Sequence, residues 1–461
     1  MIVTISSCLI AAIGNELIFL LVPFGLLTLA LTVVDFRNIF YGFFLLIPFS
    51  IEIYLPGGLG TDLPSEPIMW LLTMVTFFVF IWNAKIIPQR IFTNSVSLII
   101  LLQLLWIFIT SINSSFPIVS FKFFLAKLWY IIPFFFLPLL IIKKTEQLEM
   151  VFKLFIFSTL IALTYVMVRH ASFSFSFAEI NKAAWPIFRN HVNYAAMLVM
   201  IAPFIWALAR IKGTKRYWFA LSYVLLGIYL TYTRAAYGVV ILCIPMYFII
   251  KFQLVRWVTP IAFVGAFLLI MFMVRGNEYL ELAPNYERTV THKKFNNLIE
   301  ATYKMEDIST MERLYRWVAG FQMIDEHPML GFGPATFYNN YQSHTISSFK
   351  TYVSDNPEKS GIHNYYLMTL VEQGVIGFLL ILALFLIPIL IAENIYIKYH
   401  GTEHGYWIMA SILSYFCLIV LVTINDLLEV DKVGPLFYFS ASIIVLYKLN
   451  IMGESPEMEN N

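Results

Sequence analysis

His363 and Asn364, followed after nine intervening residues by Gly374-Val375-Ile376-Gly377, form the stretch of this 461-residue chain whose residue types and spacing could do chemistry. An imidazole with an ordinary pKa near 6.5 is the common acceptor of a hydroxyl proton at neutral pH, so the reaction suggested is activation of an attacking hydroxyl. Taken alone, a histidine at the entrance of an apolar run more often caps a helix or satisfies a backbone group. The adjoining asparagine, and two glycines one turn apart that let this helix approach a neighbour closely, favour the chemical reading.

Cationic groups come next. Arg234 sits in Thr233-Arg234-Ala235, a hinge between two apolar runs with almost no loop, and Arg189 lies just before Asn190-His191-Val192-Asn193. Arg313 and Arg316 project together from a predicted helix over 310–321 whose apolar face is read as Leu314, Trp317, Val318 and Phe321. Guanidinium forks stay charged and match phosphate oxygens, so these four are expected to converge on the side of His363 and bind a lipid pyrophosphate. Snorkelling to ordinary headgroups is the plainer alternative for any single arginine. Glu372 is expected to be structural, because nine residues of helix carry it roughly 13 Å from His363. Lys122 and Lys127 are read as internal or lipid-facing cations without a direct role. No metal site is expected, since the aqueous loops hold no Asp-x-Asp pair and no clustered His or Cys spacing. Walker and dinucleotide glycine fingerprints are missing too, so no cofactor is expected.

The elements that must position these groups lie mostly in membrane. Hydrophobic residues make up 60% of the chain and charged ones 13%; mean hydropathy is +0.77, and apolar runs of about 18 residues recur from end to end, each enough to cross about 30 Å of hydrocarbon. The fold class predicted is an all-α polytopic transmembrane helical bundle of about 12–14 spans. The spans are drawn at 17–34, 38–55, 66–83, 95–112, 120–142, 148–168, 192–209, 217–233, 235–250, 254–273, 364–392, 406–424 and 435–449. Lys and Arg fall in every second loop, Arg210 to Arg216 most densely, which makes those loops cytoplasmic. The alternate set, with the acidic 59–66 turn and the long 274–363 segment, then faces the periplasm. That parity leaves the N-terminus outside unless residues 2–14 add a crossing. The N-terminus lacks a basic start and a cleavage site and is read as part of the mature chain. The large loop carries nine Lys and Arg against eleven Asp and Glu, and Pro328 with Gly331-Phe332-Gly333-Pro334 should end its helix in a tight turn. Cys8, Cys243 and Cys417 all lie in apolar segments, which excludes a disulfide framework in the loops. The net charge of +2 says nothing about nucleic acid, and no basic cluster or recognition module supports that partner. Four regions result: 1–184 N-terminal spans, 185–273 central spans with Arg-bearing turns, 274–363 the periplasmic loop, and 364–461 the C-terminal spans.

With these residues in view, the chain resembles the O-antigen ligase/polymerase superfamily of bacterial envelope glycosyltransferases over roughly residues 185–392. The His363-Asn364 and Gly374-x-x-Gly377 pattern is the most specific match. Asn190-His191-Val192-Asn193, Thr233-Arg234-Ala235, and Arg313-x-x-x-Trp317 with His327-Pro328-Met329-Leu330-Gly331-Phe332-Gly333 follow in the family's order. The resemblance implies a GT-C-like enzyme in the bacterial inner membrane, its active site facing the periplasm. It implies transfer of a glycan from undecaprenyl pyrophosphate to an acceptor hydroxyl without metal or nucleotide sugar. The acceptor would be the lipid A-core for a ligase, another lipid-linked repeat for a polymerase, or a protein for an O-oligosaccharyltransferase. By the same resemblance His363 is the essential histidine, Arg234 and Arg313 stand at the donor pyrophosphate, and Asn193, Asn364, Gly374 and Gly377 support the site. Arg316 is added by the helix-face argument and Arg189 by its position. Residues 334–362 have no counterpart in the family pattern and are expected to read the acceptor. The rival class is a transporter of the same lipid-linked glycan, with His363 as a gate; such proteins usually show broken spans in related halves, and no paired pattern of that kind is visible.

Overall fold

A computed structural model of the chain describes residues 21–54, 60–85, 87–275, 308–350, 354–356 and 359–452. Helix α1, Leu21–Leu46, is broken at Asp35, where φ is −161° and ψ is 107°. The two first predicted spans meet at that break, and the second stops earlier than expected. Its end becomes a 3-10 turn, Ile47–Phe49, and a strand β1, Ile51–Tyr54, paired antiparallel with β2, Gly60–Leu63. Alternating Ile51-Glu52-Ile53-Tyr54 followed by Pro56-Gly57-Gly58 is hairpin chemistry, and it outweighs local hydropathy here. This hairpin is the one departure from an all-α fold among the described residues.

The long helices that follow are α2 Ser65–Trp82, α3 Ser95–Ile112, α4 Pro117–Ile141, α5 Thr145–Ser172, α6 His191–Lys212, α7 Lys215–Leu230, α8 Arg234–Lys251, α9 Val255–Arg275, α10 Ile308–Glu326, α11 Tyr365–Lys398, α12 Glu403–Leu421 and α13 Gly434–Lys448. Among the described residues, eight helices are long and apolar enough to cross a bilayer: α2 to α6, α8, α11 and α12. α13 is shorter but lies at the centre of the bundle, with its side chains from Gly434 to Tyr447 all buried. A helix apolar on every side is stable only when surrounded in this way or in lipid. Phe439 of α13 meets Phe40 and Phe44 of α1, and Phe134 of α4 stacks into the same group. Phe152 of α5, Phe204 of α6 and Trp407 of α12 continue the core as stacked rings.

Contacts at the helix ends give the bundle two distinct faces. Arg210, near the end of α6, donates to the Tyr406 hydroxyl at the start of α12 at 3.2 Å. At the other end of α12, the carbonyl of Val422 accepts from the Tyr365 N–H that opens α11, at 2.9 Å. The nineteen residues of α12 separate these points by about 28 Å. Lys212 pairs with Glu149 at the Arg210 end. The hairpin, His191, Arg234 and His363 gather at the other, which is the segregation that the alternating basic loops predict.

Candidate active site

The site is built on a gap in α11. Asn364 opens this helix as its N-cap, its side chain accepting from the Leu367 N–H at 2.9 Å, as expected of a residue that satisfies an orphan donor. Ten residues on, the helix breaks at Gly374, with φ 67° and ψ −172°. The segment after α10 enters the break. Val375 donates its N–H to the Pro328 carbonyl at 2.9 Å, and the carbonyls of Val371 and Glu372 accept from Phe332 and Gly333 at 3.1 and 2.9 Å. Trp106 of α3 closes the gap by donating Nε1–H to the Gln373 carbonyl at 2.8 Å. A Cβ on Gly374 would stand 2.1 Å from the Met329 carbonyl oxygen. Its role therefore differs from the one expected: it admits a loop, while Gly377 provides the close approach to Trp106 of the neighbouring helix. Glu372, fully buried, caps the inserted loop by accepting from the N–H groups of Ala335 and Phe337 at 2.8 and 3.0 Å.

This insertion holds α10 against the mouth of α11. The apolar face of α10 is rotated from the predicted one: Met311, Tyr315, Val318, Ala319 and Met323 are buried, while Phe321 is half exposed. The rotation turns Arg316 inward, where Nη2 lies 3.4 Å from Glu312 Oε2 and Nη1 donates to the Gly361 carbonyl at 3.3 Å. Glu312 also accepts from the Ser354 hydroxyl at 2.7 Å. Trp317 donates to the carbonyl of Ile362, the residue before the histidine, at 3.0 Å.

His363 itself has a left-handed backbone, φ 56°, costly for a residue with a side chain. It is held there by Asp426, which lies in the turn between α12 and α13: the His363 N–H donates to Asp426 Oδ2 at 3.0 Å, and Nδ1 is 3.9 Å from the same oxygen. Asp426 Oδ1 is buried and accepts no hydrogen bond from the described residues. Burial, and then the positive charges of Arg316 and Arg313, hold the imidazole well down, to about 3, so the ring is neutral at pH 7. Burial pushes the Asp426 carboxyl up to about 6 against the opposing pull of the His363 N–H and both arginines. At neutral pH the arrangement is thus a neutral imidazole beside a largely ionised carboxylate, with two guanidinium charges acting on both. Asp426 was not foreseen from sequence.

The remaining expected residues stand at the same end of the bundle with other neighbours. Arg234 is the first residue of α8, and the preceding Thr233 hydroxyl donates to the His191 carbonyl at 3.4 Å, tying it to the start of α6. Arg189 lies 3.9 Å from Glu52 of β1, largely exposed. Asn193 contributes its N–H to the Asn190 cap at 2.9 Å. Lys127 is fully buried and pairs internally with Glu429 and the Tyr365 hydroxyl. Three carboxylates far apart in sequence, Asp62, Glu66 and Asp431, come within 4.8 Å of one another, a grouping that local spacing does not reveal. Asp431 accepts from Ser65 at 3.0 Å and from Tyr130, and near Asp62 and Asp431 stands Lys432, which burial pushes down to about 7 and which donates to the carbonyls of Pro48 and Ile187.

Residues 219–382 match the family model described as O-antigen ligase. The matched segment runs from α7 into α11 and contains Arg234, Arg313, Arg316, His363, Asn364, Gly374 and Gly377; Arg189, Asn193 and Asp426 lie outside it. No curated protein matches the chain significantly.

Proposed function

From a segment, 219–382, that is of the O-antigen ligase superfamily, we propose that this multi-pass membrane protein is an inverting, metal-independent glycosyltransferase. It moves a glycan from undecaprenyl pyrophosphate to a hydroxyl of the lipid A-core at the periplasmic face of the bacterial inner membrane. The observation that supports this best is the neutral His363 ring beside Asp426 and within the electrostatic reach of Arg316 and Arg313. In the proposed step the acceptor O–H gives its proton to the imidazole while its oxygen forms the new bond to the anomeric carbon. The bond from that carbon to the phosphate oxygen breaks, and its electron pair leaves on the pyrophosphate. Arg313 and Arg316 offset the charge that builds there, with Arg234 at the same end of the bundle, an interaction strongest where donors are pre-set. Asp426 stabilises the imidazolium that forms, which afterwards loses its proton to water. Pyrophosphate bound at the two arginines would also cancel part of the positive field that depresses the imidazole, bringing its basicity nearer the working pH as the donor arrives.

The test is His363→Ala in the native host, with gel analysis of lipopolysaccharide and of the lipid-linked glycan pool. Long polymers stranded on the carrier above a bare core are the result expected. A core capped by a single repeat would mean a polymerase, and unchanged profiles in both pools would remove His363 from the mechanism.

A further inference from the structure

Helices α6, α7, α8 and α12 line an open groove of about 510 Å³ that runs from Arg210, at the end of the bundle opposite His363, to Val199 and Cys417. Its walls are apolar, among them Ala202, Leu221, Val240 and Leu413, and its polar rim includes Arg210 with Trp206 and Trp218 beside it. The 22 residues of α6 put Arg210 about 30 Å from the His191 end, a full bilayer core away from the proposed chemistry. The charged end of the cavity therefore lies apart from the glycan transfer proposed above.

We propose that this cavity is a binding site for one anionic phospholipid of the adjoining leaflet, its acyl chain between α7 and α8 and its phosphate at Arg210. Four observations carry the assignment. The cavity is of ligand size, and concave apolar walls with one convergent charge are the usual form of a small-molecule site. Arg210 and Arg216 are each paired with a neutral phenol, Tyr406 and Tyr217, at 3.2 and 3.3 Å, so their charge is not cancelled by those partners. Arg210, Lys212, Lys215 and Arg216 sit within seven residues that contain no acid, and of these Lys212 is engaged by Glu149. Trp218, nearly half exposed, and Trp206 lie at the rim, the depth at which indole rings settle near headgroups. A basic rim above an apolar groove is complementary to a lipid whose headgroup carries net negative charge, and less so to a zwitterion.

The purified full chain, stripped of lipid in detergent, is titrated with dioleoyl-phosphatidylglycerol and with dioleoyl-phosphatidylcholine and read by native mass spectrometry. One retained phosphatidylglycerol, bound roughly fivefold more tightly than phosphatidylcholine, is expected from one basic residue at the headgroup. Arg210→Gln should erase that preference, and Val240→Trp, which fills the groove, should lose both lipids. Equal affinity for the two lipids in the unaltered chain, or an undiminished bound lipid in Val240→Trp, overturns the proposal. Should Val240→Trp fail to fold, the reporter is Cys243, which lines the cavity, in a Cys8→Ser, Cys417→Ser chain. Slower alkylation of that thiol in phosphatidylglycerol than in phosphatidylcholine supports the site, and equal rates overturn it.

Discussion

Exchanging Asp426 for asparagine removes one charge and almost no volume at a point 3.9 Å from His363 Nδ1. At that separation two unit charges interact by about 4 kcal/mol at an effective dielectric near 20. The His363 side chain is 34% exposed and that of Asp426 20%, so water screens the pair and about 2–4 kcal/mol is the fair range. With its carboxyl near 6, Asp426 is mostly ionised at pH 7, and nearly the whole interaction is present. The ground state contains a neutral ring and gains little from it; the transition state, with the ring taking up a proton, gains it in full. Hence kcat should fall about 30- to 1,000-fold while the donor KM changes little. The amide oxygen can still accept the His363 N–H, so the left-handed backbone is preserved. The assay is transfer from a purified lipid-linked glycan to acceptor in proteoliposomes, with Asp426→Ala as a companion that also loses the backbone bond. An undiminished kcat in Asp426→Asn, with protein folded as judged by its melting curve, would refute the role given to this carboxylate.

The pH profile offers a second check. A base is active unprotonated, and with His363 near 3 and Asp426 near 6, the fall in kcat/KM on acidification should occur at about 6, where Asp426 gains its proton. Asp426→Asn should then be low and flat from about pH 5 to 7, and a limb that survives in it would belong to the imidazole instead. Gly374→Ala should destabilise by about 3 kcal/mol or more, since its φ and ψ are open essentially to glycine alone and the added Cβ meets backbone; Gly377→Ala, which first meets side chains, should cost less in the same thermal melt. Arg313→Gln should raise the donor KM about tenfold, the worth of one charge-assisted hydrogen bond. Arg189→Gln, by contrast, should change stability by less than about 1 kcal/mol, because its contact with Glu52 is a solvent-exposed pair.

Most of the helices could be read from the chain because apolar runs long enough to span a bilayer have few alternatives. The hairpin at 51–63 escaped notice because β1 is as apolar as the helix before it, and the turn glycines were assigned to a loop between spans. The placement of His363 and Asn364 at the head of α11 was legible for a local reason: a cap residue followed by a long apolar run. The break ten residues into that helix was not, since Gly-x-x-Gly reads equally as a helix-packing motif and only the inserted 328–333 segment distinguishes the two. Asp426 lies 63 residues beyond its histidine with no local pattern joining them. A signal was nonetheless present, in that the turn after α12 carries Asp426, Glu429 and Asp431 between two apolar helices. Glu312 was equally visible as the residue one turn before Arg316, a spacing that commonly pairs opposite charges. Reading the face of α10 as Leu314, Trp317, Val318 and Phe321 placed Val318 correctly but rotated the helix, leaving Phe321 half exposed.

The break in α11 also bears on how the chain is made. A helix entering the bilayer can leave no backbone group unsatisfied without a cost of several kcal/mol each. At Gly374 the missing partners come from Pro328, Phe332 and Gly333, residues synthesised before α11 and belonging to the aqueous segment. α11 must therefore first insert as an unbroken rod and open later, or wait until the preceding segment has crossed. Either way the final structure of the span is reached only once residues 328–333 stand against it. Assembly of the mouth of α11 is in this sense a late step: it forms only in a chain whose 328–333 segment is already in place.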